Sequence, residues 1–145
     1  MLASFFGLQI RIAISNISGE RLWDLETQMP TNVQIAVNIN VLGLEGAGGN
    51  RLTGSFVVAV NYTPAVGQLS VKGKVLIEGD REELEGLKRD METRRPPVVL
   101  LQSINNHVMG ELIVISKAMG IPPPLPPLVP TTEGRPPDTA GRIVI

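Results

Sequence analysis

Four stretches of this chain alternate apolar and polar residues with a period of two, and each predicts a half-buried strand. In the first, Leu8, Ile10, Ile12 and Ile14 alternate with Gln9, Arg11, Ala13 and Ser15. In the second, Val33, Ile35, Val37, Ile39 and Val41 alternate with Gln34, Ala36, Asn38 and Asn40. The third sets Phe56, Val58, Val60 and Tyr62 against Val57, Ala59 and Asn61, and Pro64 ends it. The fourth sets Leu69, Val71, Val75 and Ile77 against Ser70, Lys72, Lys74 and Leu76, with Gly73 marking a bulge. Residues 16–32 read as an irregular connection, longer than a hairpin needs, so the first two strands are not expected to be simple neighbours. The turn LGLEGAGGNRLTG and the turn TPAVG are short, and they join the last three strands into an antiparallel meander.

The period then changes to three and four. In residues 80–93, Asp80 reads as an N-cap with Glu83 completing a capping box, and Leu84, Leu87 and Met91 form a narrow apolar stripe on a charged helix. Glu85 and Arg89, four residues apart, add a modest surface pair. A second helix is predicted over 98–119, with Leu101, Ile104, Val108, Leu112, Ile115 and Met119 on one face. It would be about 33 Å long, enough to cover a small sheet. Gly120 supplies its stop, and Pro122, Pro123 and Pro124 forbid continuation. Leu100, Ile113 and Val114 fall off the main face, so burying one stripe leaves surplus apolar surface that calls for a partner or a groove. The expected architecture is α+β: a four-stranded antiparallel sheet with one face covered by a short polar helix and a long C-terminal apolar helix.

IPPPLPPLVP should run extended, a strap in which Leu125, Leu128 and Val129 pack on the protein's own surface. Its P-x-x-P spacings also fit an SH3-type ligand, the less favoured reading. Residues 1–130 then form one domain, and residues 131–145 a proline-rich flexible tail.

Composition narrows the chemistry. A net charge of −1 gives no long-range field, which argues against nucleic acid as the main ligand. With only 3% aromatic residues, the core must be built from Val, Ile, Leu and Met. The absence of cysteine excludes disulfides and thiol catalysis and fits a reducing compartment. MLASFFGLQIR lacks the basic region of a signal peptide. The long helix is interrupted by Gln102, Asn105, Asn106, His107 and Glu111, so no run reads as a membrane span. A cytoplasmic protein without membrane insertion is expected.

Gly46, Gly48 and Gly49 do not read as a phosphate loop, because a strand rather than a helix N-terminus follows and no Lys-Ser/Thr pair is present. Ser103, His107 and Glu111 stand at triad-like steps, yet on one straight helix their side chains lean the same way and no oxyanion hole is evident. A polar seam against a neighbouring element is the better reading, and one histidine without cysteine makes zinc improbable. The sequons at Asn16 and Asn61 carry no weight without a secretory signal. Arg94 and Arg95 are weak evidence for an anion site. No cofactor or metal is expected, and no enzyme.

The order of elements, the strand end Ile77-Glu78-Gly79, the helix-opening Pro96-Pro97 and the segment Met119-Gly120-Ile121-Pro122-Pro123-Pro124-Leu125-Pro126-Pro127-Leu128 together resemble the SecB family of export chaperones. The correspondence covers most of Leu8 to Pro130. It implies subunits that dimerise and often pair into tetramers, and an ATP-independent holdase that binds unfolded or pre-export chains in apolar grooves. The family's groove uses the connection after its first strand, here Leu22, Trp23, Leu25 and Met29, with parts of the long helix. The candidate client-binding set is therefore Leu22, Trp23, Leu25, Met29, Leu100, Ile113 and Val114. The family docks the SecA motor on an acidic outward sheet face. Here the outward Gln9, Arg11, Gln34, Asn38, Asn40, Asn61, Lys72 and Lys74 are neutral to basic, which leaves SecA docking doubtful. The rival reading is a non-catalytic assembly or regulatory subunit whose surplus apolar surface is consumed by oligomer contacts or by one specific partner.

Overall fold

The alternation read from the sequence becomes four long strands, β2 (Leu8–Arg21), β3 (Gln34–Gly46), β4 (Arg51–Thr63) and β5 (Gly67–Glu78). Short strands β1 (Leu2–Phe5) and β6 (Arg142–Val144) are added at the edges. The structure, a computed structural model, describes residues 2–5, 7–93, 97–124 and 142–144. Strand order is β1-β2-β5-β4-β3-β6, and every neighbouring pair is antiparallel. The meander of β3, β4 and β5 is as expected, and β2 pairs with β5 rather than with β3. The connection from β2 to β3 must therefore cross the sheet to reach its far side.

Two bulges lengthen the strands beyond the plain alternation. In β2 the register shifts between Ile14 and Asn16, leaving Ser15 as the extra residue, and its hydroxyl donates to the Lys72 carbonyl at 3.1 Å. The extra residue reverses the phase, so Ile17, Gly19 and Arg21 continue the inward row of Leu8, Ile10, Ile12 and Ile14. That is why β2 runs on to Arg21 through residues whose simple alternation ends at Ser15. In β3 the shift falls between Leu42 and Glu45, where Gly43 takes φ +53° and Leu44 stays buried. The expected glycine-rich turn shrinks accordingly to residues 47–50. Gly73 marks the first bulge from the facing strand, paired with Ile14 just before the extra Ser15. It stands where a Cβ would lie 2.6 Å from Phe56 Cε1 and closer still to the Ala13 carbonyl, so a bare α-carbon admits the Phe56 ring.

Helix α1 (Arg81–Glu92) buries Leu84 and Leu87 in the same core as Leu44 and Leu52, at the end of the sheet where it meets β3. Asp80 occupies the N-cap position in extended conformation, but its side chain makes no capping bond. The expected capping box does not form, because Glu83 turns instead toward Gly7, where a Cβ would lie 3.3 Å from its Oε1.

Helix α2 (Val98–Met119) lies over β2 and β5. Its buried row is Leu100, Ser103, Ile104, Val108, Leu112 and Ser116. The expected stripe is displaced at both ends: Leu101, Ile115 and Met119 are half-buried, and Leu100 is core. Each four-residue step advances about 40° round the axis, so a row of such steps slants across the helix and leaves the marginal residues at its flanks. Gly120 stops the helix as expected, at φ +66°, with its own N–H on the Lys117 carbonyl and the Ile121 N–H on the Ser116 carbonyl. That pair of bonds is a Schellman motif. By length and composition α2 is apolar enough to cross a membrane, which the count of polar interruptions did not foresee. One side of it covers the core, where Leu100, Ile104, Val108 and Leu112 are buried. The surplus expected at Leu100, Ile113 and Val114 is smaller than the spacing implied: Leu100 is buried, Ile113 half-buried and Val114 exposed, with Val98 exposed at the start of the helix.

The strap expected at Leu125, Leu128 and Val129, the pair Arg94 and Arg95, and most of the expected tail lie outside the described residues. Arg142–Val144 pair with Gln34, Ile35 and Ala36 of β3.

Candidate functional site

Beyond Arg21 the chain leaves the sheet, and residues 22–33 cross to β3. The first anchor is the Leu22 N–H, which donates to the Val66 carbonyl at 2.9 Å. Asp24 then builds a tight turn: its Oδ1 accepts the Glu26 N–H at 3.1 Å and its Oδ2 accepts the Thr27 hydroxyl at 3.3 Å. Such an Asx turn satisfies the local backbone without a partner strand. It carries Leu25 outward at its tip, 81% exposed, with Leu22 at 47%. Trp23 and Met29 point the other way, half-buried against the core, and the Trp23 indole donates to the Gln28 carbonyl at 3.2 Å. One short segment thus presents four large apolar side chains, two packed at the margin and two in solvent.

The end of α2 adjoins this segment. Ile115 and Met119 lie half-buried over Gly19, where a Cβ would come within 2.9 Å of Ile115 Cγ2 and 2.6 Å of Met119 Cε. The glycine lets the helix end settle directly on β2. Ile121, just past the stop, is buried over Gly67 in the same manner. The Tyr62 hydroxyl donates to the Pro122 carbonyl at 2.7 Å, which fixes the first proline over β4, and burial pushes that phenol up to about 12.

Arg21 joins the two pieces. Its Nε donates to the Trp23 carbonyl at 3.0 Å, its Nη1 to the carbonyls of Met119 at 2.9 Å and Gly120 at 3.2 Å, and its Nη2 to that of Asp24 at 3.5 Å. Nothing in the alternation pointed to Arg21, because the strand phase had to be carried through the Ser15 bulge before the residue could be placed on the inward face.

Of the seven residues expected to bind clients, the fold brings Leu22, Trp23, Leu25 and Met29 together on the crossing segment. Ile113 is half-buried and Val114 is 64% exposed on α2, about 9 and 7.5 Å along the axis from Met119. Leu100 is the correction. It is fully buried, and it sits about 28 Å from Met119 along the helix, at the far end from the crossing segment. Val98, which the periodicity did not single out, is 67% exposed.

The triad-like spacing on α2 assembles nothing catalytic. The buried Ser103 hydroxyl donates to the Val99 carbonyl at 2.8 Å, so its proton is committed to the helix backbone. His107 is held below its ordinary value by burial, while Glu111 pulls it back up.

The outward sheet face is more mixed than its alternating residues suggested. Register places Glu20 beside Gln68 and Glu45 beside Thr53, and Glu78 pairs with Arg51 at 3.2 Å. These carboxylates share the face with Arg11, Lys72 and Lys74, so the face is near neutral rather than basic.

No family model and no curated protein matches the sequence. Among solved structures the chain is similar to the SecB-like chaperone of Mycobacterium tuberculosis in complex with a ChAD peptide from the HigA1 antitoxin. The TM-score is 0.60 at 10% sequence identity, over 85% of this chain and 91% of that one. At that identity the likeness speaks to architecture alone, and the architecture is SecB-like.

Proposed function

We propose that this protein is a molecular chaperone, an ATP-independent holdase that captures unfolded polypeptide segments on the surface formed by residues 22–33 and the end of α2. The observation that carries this reading is the exposure of Leu22 and Leu25 beside half-buried Trp23, Met29, Ile115 and Met119. Apolar side chains left at the rim of a core, rather than scattered singly, mark an interaction surface. Methionine and leucine repack around varied side chains, which suits a binder of many sequences. The SecB-like neighbour is described in complex with a peptide, which supports a polypeptide as the ligand. A cytoplasmic homodimer or homotetramer acting on pre-export chains completes the proposal. Docking of the SecA motor is left out of it, because the outward sheet face lacks an acidic field.

The test is aggregation of a chemically denatured client in the presence of the purified protein. Near-stoichiometric protein should suppress light scattering, and Leu25→Ser should suppress it less. No suppression by wild type sinks the proposal.

A second reading has its own support. Val98 and Val114 are each exposed on α2, about 24 Å apart along its axis, and an assembly or regulatory subunit would bury them in separate contacts with a copy of itself or one partner. Sedimentation velocity with an apolar dye separates the two: a closed oligomer that binds little dye favours the subunit, and a dye-binding oligomer favours the holdase.

A further inference from the structure

Arg21 sits where three sparsely furnished places meet. The Ser15 bulge turns it inward at the end of β2, opposite Gly67, and Gly19 beside it leaves room for the end of α2. Gly120 lies so close that a Cβ there would be 2.9 Å from Arg21 Nη1. The last carbonyls of an α-helix have no partner within the helix and carry partial negative charge. A guanidinium is suited to them, because its five donors form a rigid planar fork. In this protein the fork does not spend itself on α2. One edge takes the carbonyls of Met119 and Gly120, and the other takes those of Trp23 and Asp24. Residues 98 apart in sequence, Arg21 and Met119, are thereby tied together, and the crossing segment is bonded to the same guanidinium.

We infer that Arg21 is the positioning residue for client capture, holding the Trp23 segment against the end of α2 so that the apolar surface exists before a client arrives. The inference rests on the holdase reading and adds to it a residue that touches no client. All four acceptors are main-chain carbonyls, so Arg21 fixes the path of the backbone and leaves the apolar side chains free to meet a ligand. A segment ordered during folding need not be ordered again on binding, and ordering carries an entropic cost for each side chain immobilised. Removing the fork should shift that cost to the binding step. Lysine is a poor substitute, since one ammonium on a flexible stem cannot span both edges.

The experiment compares full-length wild type, Arg21→Ala, Arg21→Lys and Leu25→Ser. Trp23 is the only tryptophan, so acrylamide quenching reads the state of the segment directly. Fluorescence anisotropy of a fluorescein-labelled, leucine-rich unfolded peptide reads binding, and urea titration confirms that each variant unfolds cooperatively. Arg21→Ala should raise Trp23 quenching in the free protein and weaken the peptide about tenfold, equivalent to about 1.4 kcal/mol. Arg21→Lys should fall between. Leu25→Ser should weaken the peptide with quenching unchanged, which separates contact from positioning. Wild-type quenching in Arg21→Ala overturns the inference, and so does wild-type affinity in a variant whose segment has loosened. If wild type itself does not bind the peptide, the holdase reading fails and the capture role of Arg21 falls with it, while quenching still decides whether Arg21 holds the segment.

Discussion

The row Ile17–Val71–Val58–Ile39 crosses all four long strands on the inward face, and its middle differs from its ends. Val71 and Val58 are completely buried, whereas Ile17 and Ile39 are only half-buried. The next row behaves alike: Phe56 is sealed while Ile14 and Val41, at its ends, are not. Apolar residues in one register thus serve two purposes. The central strands β4 and β5 make a closed core. The flanking strands leave apolar residues half-buried at two opposite margins, Ile14 and Ile17 on β2 and Val37, Ile39 and Val41 on β3, and of the two it is the β2 margin that lies beside α2. Among the described residues, these two rows are sealed at the centre and only half covered at their ends.

The largest test of that contrast removes the same kind of contact on each side. Phe56→Ala should cost about 3–5 kcal/mol, because it deletes a ring enclosed over Gly73 and leaves a cavity. Val41→Ala, directly opposite, should cost about 1 kcal/mol or less, since water already reaches that side chain. Urea unfolding with an unchanged m value measures both. Equal costs would erase the distinction between centre and rim.

Tyr62 marks the border between the two regions, buried in β4 yet bonded to Pro122 just after α2. Its phenol is pushed up to about 12 by burial, against an ordinary value of 10.0. The folded state therefore resists ionisation, and the stability this contributes is fully present below pH 10 and lost as pH rises toward 12. Tyr62→Phe should lower neutral stability by roughly 0.5–1.5 kcal/mol, the usual net worth of one hydrogen bond. It should also flatten the stability profile between pH 10 and 12. A variant that loses stability over that window as steeply as wild type would place the titration on another group.

The central region was legible in the sequence because period-two alternation reports burial wherever both faces of a strand have a settled fate. The four strands follow from it; both helices follow from the three-and-four spacing, their stop from Gly120 and the prolines, and the separation of the first two strands from the length of the connection between them. The rim was legible only in composition, as a greasy connection after the first strand. Arg21 was hidden by the Ser15 bulge, since one inserted residue reverses which face every later residue occupies. Leu100 was misplaced for a related reason: a slanting row of four-residue steps and a straight stripe share Ile104, Val108 and Leu112, and part only at the ends. Asp80 and Glu83 carried a local signal that the approach of Gly7 overrode. In each case a tertiary contact decided between two arrangements that local spacing allowed equally.

The smallest effect on stability is expected where the effect on binding is largest. Leu25 is held in solvent by the Asp24 turn, and its side chain contributes almost nothing to the core. Leu25→Ser should therefore change the unfolding free energy by no more than about 0.5 kcal/mol. The Asx turn uses only Asp24, Glu26 and Thr27, so the backbone path should persist and Trp23 should keep its emission. Suppression of client aggregation should nevertheless fall, because a leucine in solvent offers apolar area that only an incoming chain can bury. If Leu25→Ser leaves suppression intact, capture lies elsewhere, and Val98 and Val114, at separate places on α2, become the next positions to test.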